Sequence, residues 1–456
     1  MSPVQSLSEL PLEAVRLTTD TRLYPWDEPV GGLPVLDHTL QAAQDAALVE
    51  VGARLVDKPS SGARLVVFTD RQWFTAGALR RMLQLPPGRM RVTDELFWRT
   101  NGAQQIVPAP GVMEIGWGVV SAEWSGSREA LDAQAPVSVE LDLEDHGLHA
   151  GHPRLQHAHR PLRVGAASVH LVQHWTHLMR INQLAIQAEA YAARDRFQEA
   201  SLLQKVVHGV RTVWRAGGWS EPKLAAVLVT VGAGCTIHPT AVVEASRIGA
   251  GVTIGPGAVV QGSVLQDGVM VDAHATVVSS VMGSGSRIGP YGHLRHSTLF
   301  PGARVSAGPG YQMCVFGRDC FLAWGVAALD LSFGQSIRTE TAPGVTEDST
   351  HHFLGCAVGH EAVIGQGVRL APGAVVPSGA TLVATTDGLY RRWGDHPVDA
   401  QPVRPTRQGV TGIGASGEAA RDPLHVGGSR RDDALFGDDT RDESSRCDIE
   451  GEISSR

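Results

Sequence analysis

From residue 231 onward the apolar positions of this chain fall into a short, strict rhythm. An aliphatic residue opens each unit at Val231, Ile237, Val243, Ile248, Ile254, Val260, Leu265, Val271, Val277, Met282, Ile288, Leu294, Leu299 and Val305. The steps run six, six and five residues and then repeat, so Val231, Ile248, Leu265, Met282 and Leu299 are each 17 residues apart. An α-helix needs an apolar period near 3.6, which this segment does not show. Units such as IGAGVT and IGPYGH place a small residue after the aliphatic one, where the chain must turn a corner that glycine, lacking Cβ, adopts readily. Three short flats per turn make a triangular prism with an interior of stacked Ile, Val and Leu, its coils joined by backbone hydrogen bonds. The pattern predicts a left-handed parallel β-helix of hexapeptide repeats.

The rhythm breaks after Val305, and residues 307–357 read as an irregular insertion with an aromatic, cysteine-rich piece (YQMCVFGRDCFLAWG) and a polar stretch (TETAPGVTEDST). Hexads return at Val358, Ile364, Leu370, Val376 and Leu382. The β-helix is therefore expected over 221–386. Upstream, residues 168–215 carry apolar residues at helical spacing with Gly217 and Gly218 as a stop, so 166–220 reads as a helical connector. Residues 1–165 read as an α/β domain. Its expected strands are Ala14–Leu17, Arg64–Thr69, Val112–Val120, Val137–Leu143 and Leu162–Val172, and its expected helix runs from Leu36 to about Val56. Residues 387–456, rich in Arg, Asp, Gly and Ser without apolar periodicity, read as a disordered tail.

Charge narrows the function classes. A formal net charge of -8 argues against a nucleic-acid or anionic-membrane partner. No stretch approaches the roughly 20 apolar residues of a spanning helix, and Met1–Pro11 lacks the basic and apolar regions of a secretion signal. Cys235, Cys314, Cys320, Cys356 and Cys447 form no CxxC pair, which fits reduced thiols and a cytoplasmic location. Of 39 basic residues only Lys58, Lys205 and Lys223 are lysines, so any site beyond residue 223 must use arginine or histidine for positive charge.

The 17-residue coil, with units ending in GSVL, SSVM and HSTL, resembles the C-terminal β-helix of sugar-1-phosphate nucleotidyltransferases, with the bifunctional N-acetylglucosamine-1-phosphate uridyltransferase/acetyltransferase as the nearest analogy. The stretch IGPYGHLRHSTLFPGARVS (288–306) looks like that family's phosphate-binding coil, which implies that Arg295 holds a sugar phosphate. At the N-terminus, AVRLTTDTRLYPWDEPVGGLPVLDHTL (14–40) is similar to the family's opening, with Thr21, Arg22, Leu23 and Pro25 in frame and Arg22 as a substrate-binding candidate. There the loop glycines are replaced by Thr18, Thr19 and Asp20, and the Lys-Pro by Leu33-Pro34. A Gly-rich loop closes backbone N–H groups on phosphates, so these changes describe a reduced nucleotidyltransferase-like domain.

The resemblance implies acyl transfer with a histidine as general base. His293 and His296, flanking Arg295, are the first candidates, and His351 and His352, at the end of the insertion where a loop would reach another subunit, the second. His238, His274 and His360 also lie in or beside the repeats. The implied ligands are a sugar phosphate, a sugar nucleotide or acyl-CoA, with Mg²⁺ if a nucleotide is bound, and the implied assembly is a homo-oligomer, a trimer. The cluster His146, His149, His152, His157 and His159 matches no standard metal spacing and reads as a solvated loop. Cys314 and Cys320 are either a redox pair or inert buried thiols. Two functions remain open: a transferase of sugar-nucleotide or cell-envelope glycan metabolism with its chemistry on the β-helix, or a non-catalytic binding or assembly module that kept the fold.

Overall fold

The computed structural model describes residues 10–101, 104–149, 159–160, 162–201, 229–384, 389–390, 402–406 and 409–412. Strands β1 (Leu12–Leu17), β2 (Arg54–Leu55), β3 (Arg64–Thr69), β4 (Gly88–Val92), β5 (Val112–Val119) and β6 (Pro136–Val139) form one mixed sheet in the order β6-β4-β5-β3-β1-β2. Only β5 runs antiparallel to its neighbours. Helices α1 (Leu40–Glu50) and α2 (Ala76–Leu83) begin at Thr39 and Thr75, each threonine side chain accepting from a backbone N–H three residues on. The N-terminal region is thus an α/β domain, its core built on Phe68, Phe74, Met113 and Trp117.

The β-helix follows the 17-residue rhythm. On its first flat, Arg247–Ile248, Val264–Leu265, Val281–Met282, Thr298–Leu299 and Val315–Phe316 pair in parallel. The second flat stacks Thr253–Ile254, Met270–Val271, Arg287–Ile288, Arg304–Val305 and Phe321–Leu322. The third stacks Val242–Glu244, Val259–Gln261, Thr276–Val278, His293–Arg295 and Tyr311–Gln312. The opening aliphatics from Ile248 to Val305 point inward and are almost fully buried. A second ladder runs up one corner, where the Oγ atoms of Ser246, Ser263, Ser280 and Ser297 accept the backbone N–H one coil on, at 3.0–3.2 Å.

The rhythm does not stop at Val305. Tyr311, Phe316 and Leu322 take the inward positions of the next coil, where aromatic rings replace aliphatics, and the chain leaves the prism only after Ala327–Ala328. The departing segment folds into an antiparallel hairpin, Arg338–Ala342 against Val345–Asp348. It returns at Ala357–Val358, which pairs with Val315–Phe316 as if nothing intervened. Upper coils lengthen, with Ala357 paired to Val375 and Val363 to Thr381. Within the stretch expected to be a tail, Pro402–Thr406 and Gly409–Gly412 extend the second flat. Leu389–Tyr390, in the same stretch, pairs in parallel with Arg369–Leu370, and the other expected tail residues lie outside the described ones.

The expected connector is a core element. Val169–Leu171 is a strand paired with Gln72–Phe74, and α3 (Trp175–Glu199) is capped by His174, with His177 returning the capping hydrogen bond. The first half of α3 is buried on nearly every side, as a helix must be when it lies between two layers. Trp175, Leu178, Met179, Ile181 and Leu184 pack in one cluster with Val264, Val281, Val315, Ala357 and Val375, which point outward from the first flat. Leu23, Trp26, Leu33 and Val35 complete the same cluster. Residues 202–220 of the connector and 221–228 of the expected β-helix lie outside the described residues. No helix among the described residues is long and apolar enough to cross a membrane.

Trp175 is fully buried in that cluster and donates from Nε1 to Thr339 Oγ1 at 3.0 Å. Trp175→Ala is expected to lower unfolding free energy by about 3–5 kcal/mol, read by urea denaturation; a loss under about 1 kcal/mol would mean that α3 does not hold the prism.

Candidate functional site

The carboxyl ends of parallel strands β1, β2 and β3 open on a cleft of about 470 Å³ lined by Thr18, Gly31, Gly32, Gln41, Asp57 and Asp70. This is where an open α/β sheet places a ligand. The loop after β1 is folded down, because Thr19 donates its backbone N–H to Asp70 Oδ2 at 3.0 Å and its hydroxyl to Asp70 Oδ1 at 2.7 Å. A carboxylate of the chain itself occupies the amide that a phosphate would need. Arg16, the basic residue of the cleft wall, pairs with Asp45. Arg22 does not line the cleft; it is half exposed and hydrogen-bonded to Asp27. Among the described residues no three His, Cys, Asp or Glu side chains gather to hold a metal ion. Asp57 and the Thr19-bound Asp70 are the carboxylates that line the cleft.

Behind the cleft lies a buried ion cluster. Glu114 accepts from Arg71 at 2.6 and 2.7 Å, from Thr69 at 2.7 Å and from Arg128 at 3.0 Å. Burial would raise its pKa, but the hydrogen bonds and charges of Arg71, then Thr69 and Arg128, bring it down to about 2. Arg71 in turn donates to Thr21 Oγ1, so this cluster fixes the β1 loop from below.

On the prism, His293 and Arg295 project outward from the third flat, while Leu294 between them is buried in the core. The alternation of a strand puts i and i+2 on one face. His296 follows at the corner with φ 49°. Its Nε2 accepts from Arg295 Nε at 3.3 Å and its backbone oxygen accepts from Gln183 at 3.1 Å. The basic nitrogen of His296 is thus engaged by a guanidinium. Partial burial, and then the Arg295 charge, hold the His293 pKa below the usual 6.5. An exposed imidazole that stays neutral beside a guanidinium can accept a proton near a bound anion.

The other candidate histidines are placed elsewhere. His351 is buried at the root of the hairpin, its backbone oxygen accepting from Ile337, and His352 accepts from Ser332 through its own backbone oxygen. The hairpin docks on α3 of the same chain: His174 Nε2 lies 3.2 Å from the Glu340 backbone oxygen, and Gln104 donates to the Asp348 backbone oxygen. It is held in place rather than extended as a free arm. His360 joins the prism to the N-terminal domain, with Nδ1 accepting from the Arg318 backbone, Nε2 3.2 Å from Glu28 and its ring against Trp26 and Phe300. His146 contacts the Tyr191 hydroxyl at 2.5 Å, and Tyr191 donates to Glu144; His152 and His157 lie outside the described residues. Cys314 and Cys320 are both buried, and burial pushes the Cys320 thiol far up, as expected of inert core sulfurs. The Cys314 sulfur neighbours Cys356, at 3.7 Å.

Sequence reasoning missed Asp70, Asp57 and the Gly31–Gly32 turn. Asp70 had a signal, since it directly follows the apolar strand RLVVFT, where a parallel sheet presents its ligand-facing residues.

Fold and site together define a hexapeptide-repeat β-helix joined to an α/β domain. Residues 225–326 match the family model of the GMPPB C-terminal domain, less than half of the chain. No curated protein matches. Among solved structures, the polysialic acid O-acetyltransferase OatWY is 14% identical over 43% of this chain and 92% of its own, with a TM-score of 0.19. A mutant of AntD, an N-acyltransferase from Bacillus cereus, in complex with dTDP and coenzyme A, is 16% identical over 43% of this chain and 89% of its own, with a TM-score of 0.18. At these scores it is the coil register, not the likeness, that establishes the fold.

Glu114 gives a pH signature. Its pKa falls from an ordinary 4.5 to about 2 on folding, so its contribution is complete above pH 4.5 and is lost as pH falls toward 2. That contribution is on the order of 3 kcal/mol. Urea unfolding between pH 2 and 5 is expected to show a steep acid loss that is flattened in Glu114→Gln; equal slopes would place the depressed carboxylate elsewhere.

Proposed function

We propose that this protein is a transferase of sugar-nucleotide or cell-envelope glycan metabolism whose chemistry lies on the β-helix, with acyl-CoA as donor and a sugar phosphate or sugar nucleotide as acceptor. The observation that carries the reading is the shared outward face of His293 and Arg295, a neutral base two residues from a fixed cation. In this reading Arg295 holds a phosphate of the acceptor and His293 takes the proton from the attacking hydroxyl or amine. The new bond to the acyl carbon forms as the C–S bond breaks, and the proton passes from His293 to the leaving thiolate. His296 acts as a positioning residue that orients Arg295. A homotrimer is part of the reading, a neighbouring prism closing the His293 strand from one side. The match of residues 225–326 to the GMPPB C-terminal domain supports a sugar-nucleotide setting.

One observation favours the second reading, a non-catalytic assembly module. The Thr19 amide is already held by Asp70, so the N-terminal cleft does not favour a triphosphate, and its domain serves as a partner for the first flat.

A transfer assay across acyl-CoAs and sugar nucleotides separates the two. His293→Ala is expected to lower kcat by about 10²–10⁴-fold with oligomeric state and melting temperature unchanged. Arg295→Ala is expected to raise KM for the phosphate-bearing substrate by about 10–100-fold. Because the His293 pKa is held below the usual imidazole value, the acid limb of kcat/KM is expected to lie at lower pH than that of an ordinary histidine, and to move up in Arg295→Ala. Full activity in His293→Ala would overturn the catalytic assignment, and no turnover across the panel would favour the assembly module.

A further inference from the structure

The corner that leads into the His293 strand carries a feature the proton-transfer reading does not use. Tyr291 is 68% exposed, and its ring lies on that of His274 one coil below, with centroids 5.1 Å apart and planes 11° from parallel. The stack is seated on a third coil. A Cβ on Gly257, the corresponding corner residue beneath His274, would come within 2.5 Å of the His274 ring, so the absence of a side chain there lets the imidazole lie flat. Both ring-bearing residues hold left-handed backbone, φ 58° at His274 and 57° at Tyr291, where Gly257 has φ 65°. Tyrosine adopts that region at a cost, and such cost is characteristically stored where a side chain has a task.

The coil above leaves the stack open. It passes over Tyr291 and His293 as Ala307-Gly308-Pro309-Gly310. The register Leu294 to Tyr311 sets Gly310 over His293, and a Cβ there would meet nothing nearer than His293 Cδ2 at 4.0 Å. The same register sets Gly308, which carries no side chain, over Tyr291, and with one face on His274 the 68% exposure of Tyr291 lies on the other face and the ring edge. Arg295 lies four residues further along the chain, no more than about 14 Å away, a span that a nucleoside diphosphate covers.

We propose that the Tyr291–His274 stack is a shelf for the base of a nucleotide whose phosphates run toward Arg295. This deepens the proposed function by naming the part of the substrate held beside His293, and it rests on that reading for Arg295 alone. Base-on-aromatic stacking is tolerant of base identity, so the shelf suits either the adenosine end of coenzyme A or the nucleoside of a sugar nucleotide.

Calorimetric titration of the full-length protein with UDP, coenzyme A and pantetheine, which lacks the nucleotide, tests it. Binding of UDP alone assigns the shelf to a sugar nucleotide, and binding of coenzyme A without pantetheine assigns it to the adenosine. Tyr291→Ala is expected to weaken the bound nucleotide about ten-fold or more with an unchanged melting curve, since Tyr291 is exposed. Tyr291→Trp is expected to keep wild-type affinity, and His293→Ala is expected to bind nucleotide normally. Equal affinity of wild type and Tyr291→Ala, or no nucleotide bound by wild type, would overturn the shelf. An inactive His293→Ala would still uphold the proposed function in that case, whereas an active His293→Ala with a Tyr291-dependent nucleotide would sink the function and leave the shelf standing.

Discussion

Backbone hydrogen bonding between successive coils governs this molecule. Each N–H on a flat finds the carbonyl one coil away, so residue i lies over residue i+17 through the regular part of the prism. A side chain is then confined to a column of its own kind. Inward columns stack aliphatics and give way to Tyr311 and Phe316 higher up. The corner column of Ser246, Ser263, Ser280 and Ser297 satisfies backbone N–H groups that a turn would leave without partners, and it ends in the sulfurs of Cys314 and Cys356. The hairpin at 338–348 is tolerated because chain that leaves and re-enters in register costs the prism no hydrogen bond.

Columns also give the prism unlike faces. Val264, Val281, Val315, Ala357 and Val375 of the first flat's outward column are covered by α3 and residues 23–36, which makes the N-terminal domain and the prism share one core. Polar groups ride on that interface with partners supplied by both sides. Asn182 accepts from the Leu36 N–H and donates to the Pro34 carbonyl, while Trp26 donates to the Val358 carbonyl. The third flat is bare around His293 and Arg295. A face covered by the chain's own helix is unavailable to a ligand, and the uncovered one is where chemistry has room.

The two candidate centres differ in what they leave free. In the α/β domain, Asp70 takes the loop amide, and Glu114 with Arg71 holds the loop in that shape. On the prism, His296 is engaged by Arg295, while His293 is exposed beside the same guanidinium with its proton affinity lowered. The balance of free donors and acceptors therefore lies with the prism.

Much of this was written in the sequence, for a physical reason. A repeat of local hydrogen bonds and buried aliphatics is specified by spacing alone, so the prism, its inward residues and the outward direction of His293 and Arg295 followed from the steps of six, six and five. The helix expected from Leu36 to about Val56 is α1, Leu40–Glu50. What the sequence did not determine was every contact between parts distant along the chain. The aromatic coil at 311–328 hid its hexads, because ring side chains do not read as the aliphatic pattern. The outward valines of the first flat gave no sign that α3 would cover them. Nothing in spacing tied Asp70 to Thr19 or His360 to Glu28. Those pairings depend on which face of one element meets which face of another, and only the tertiary structure decides that.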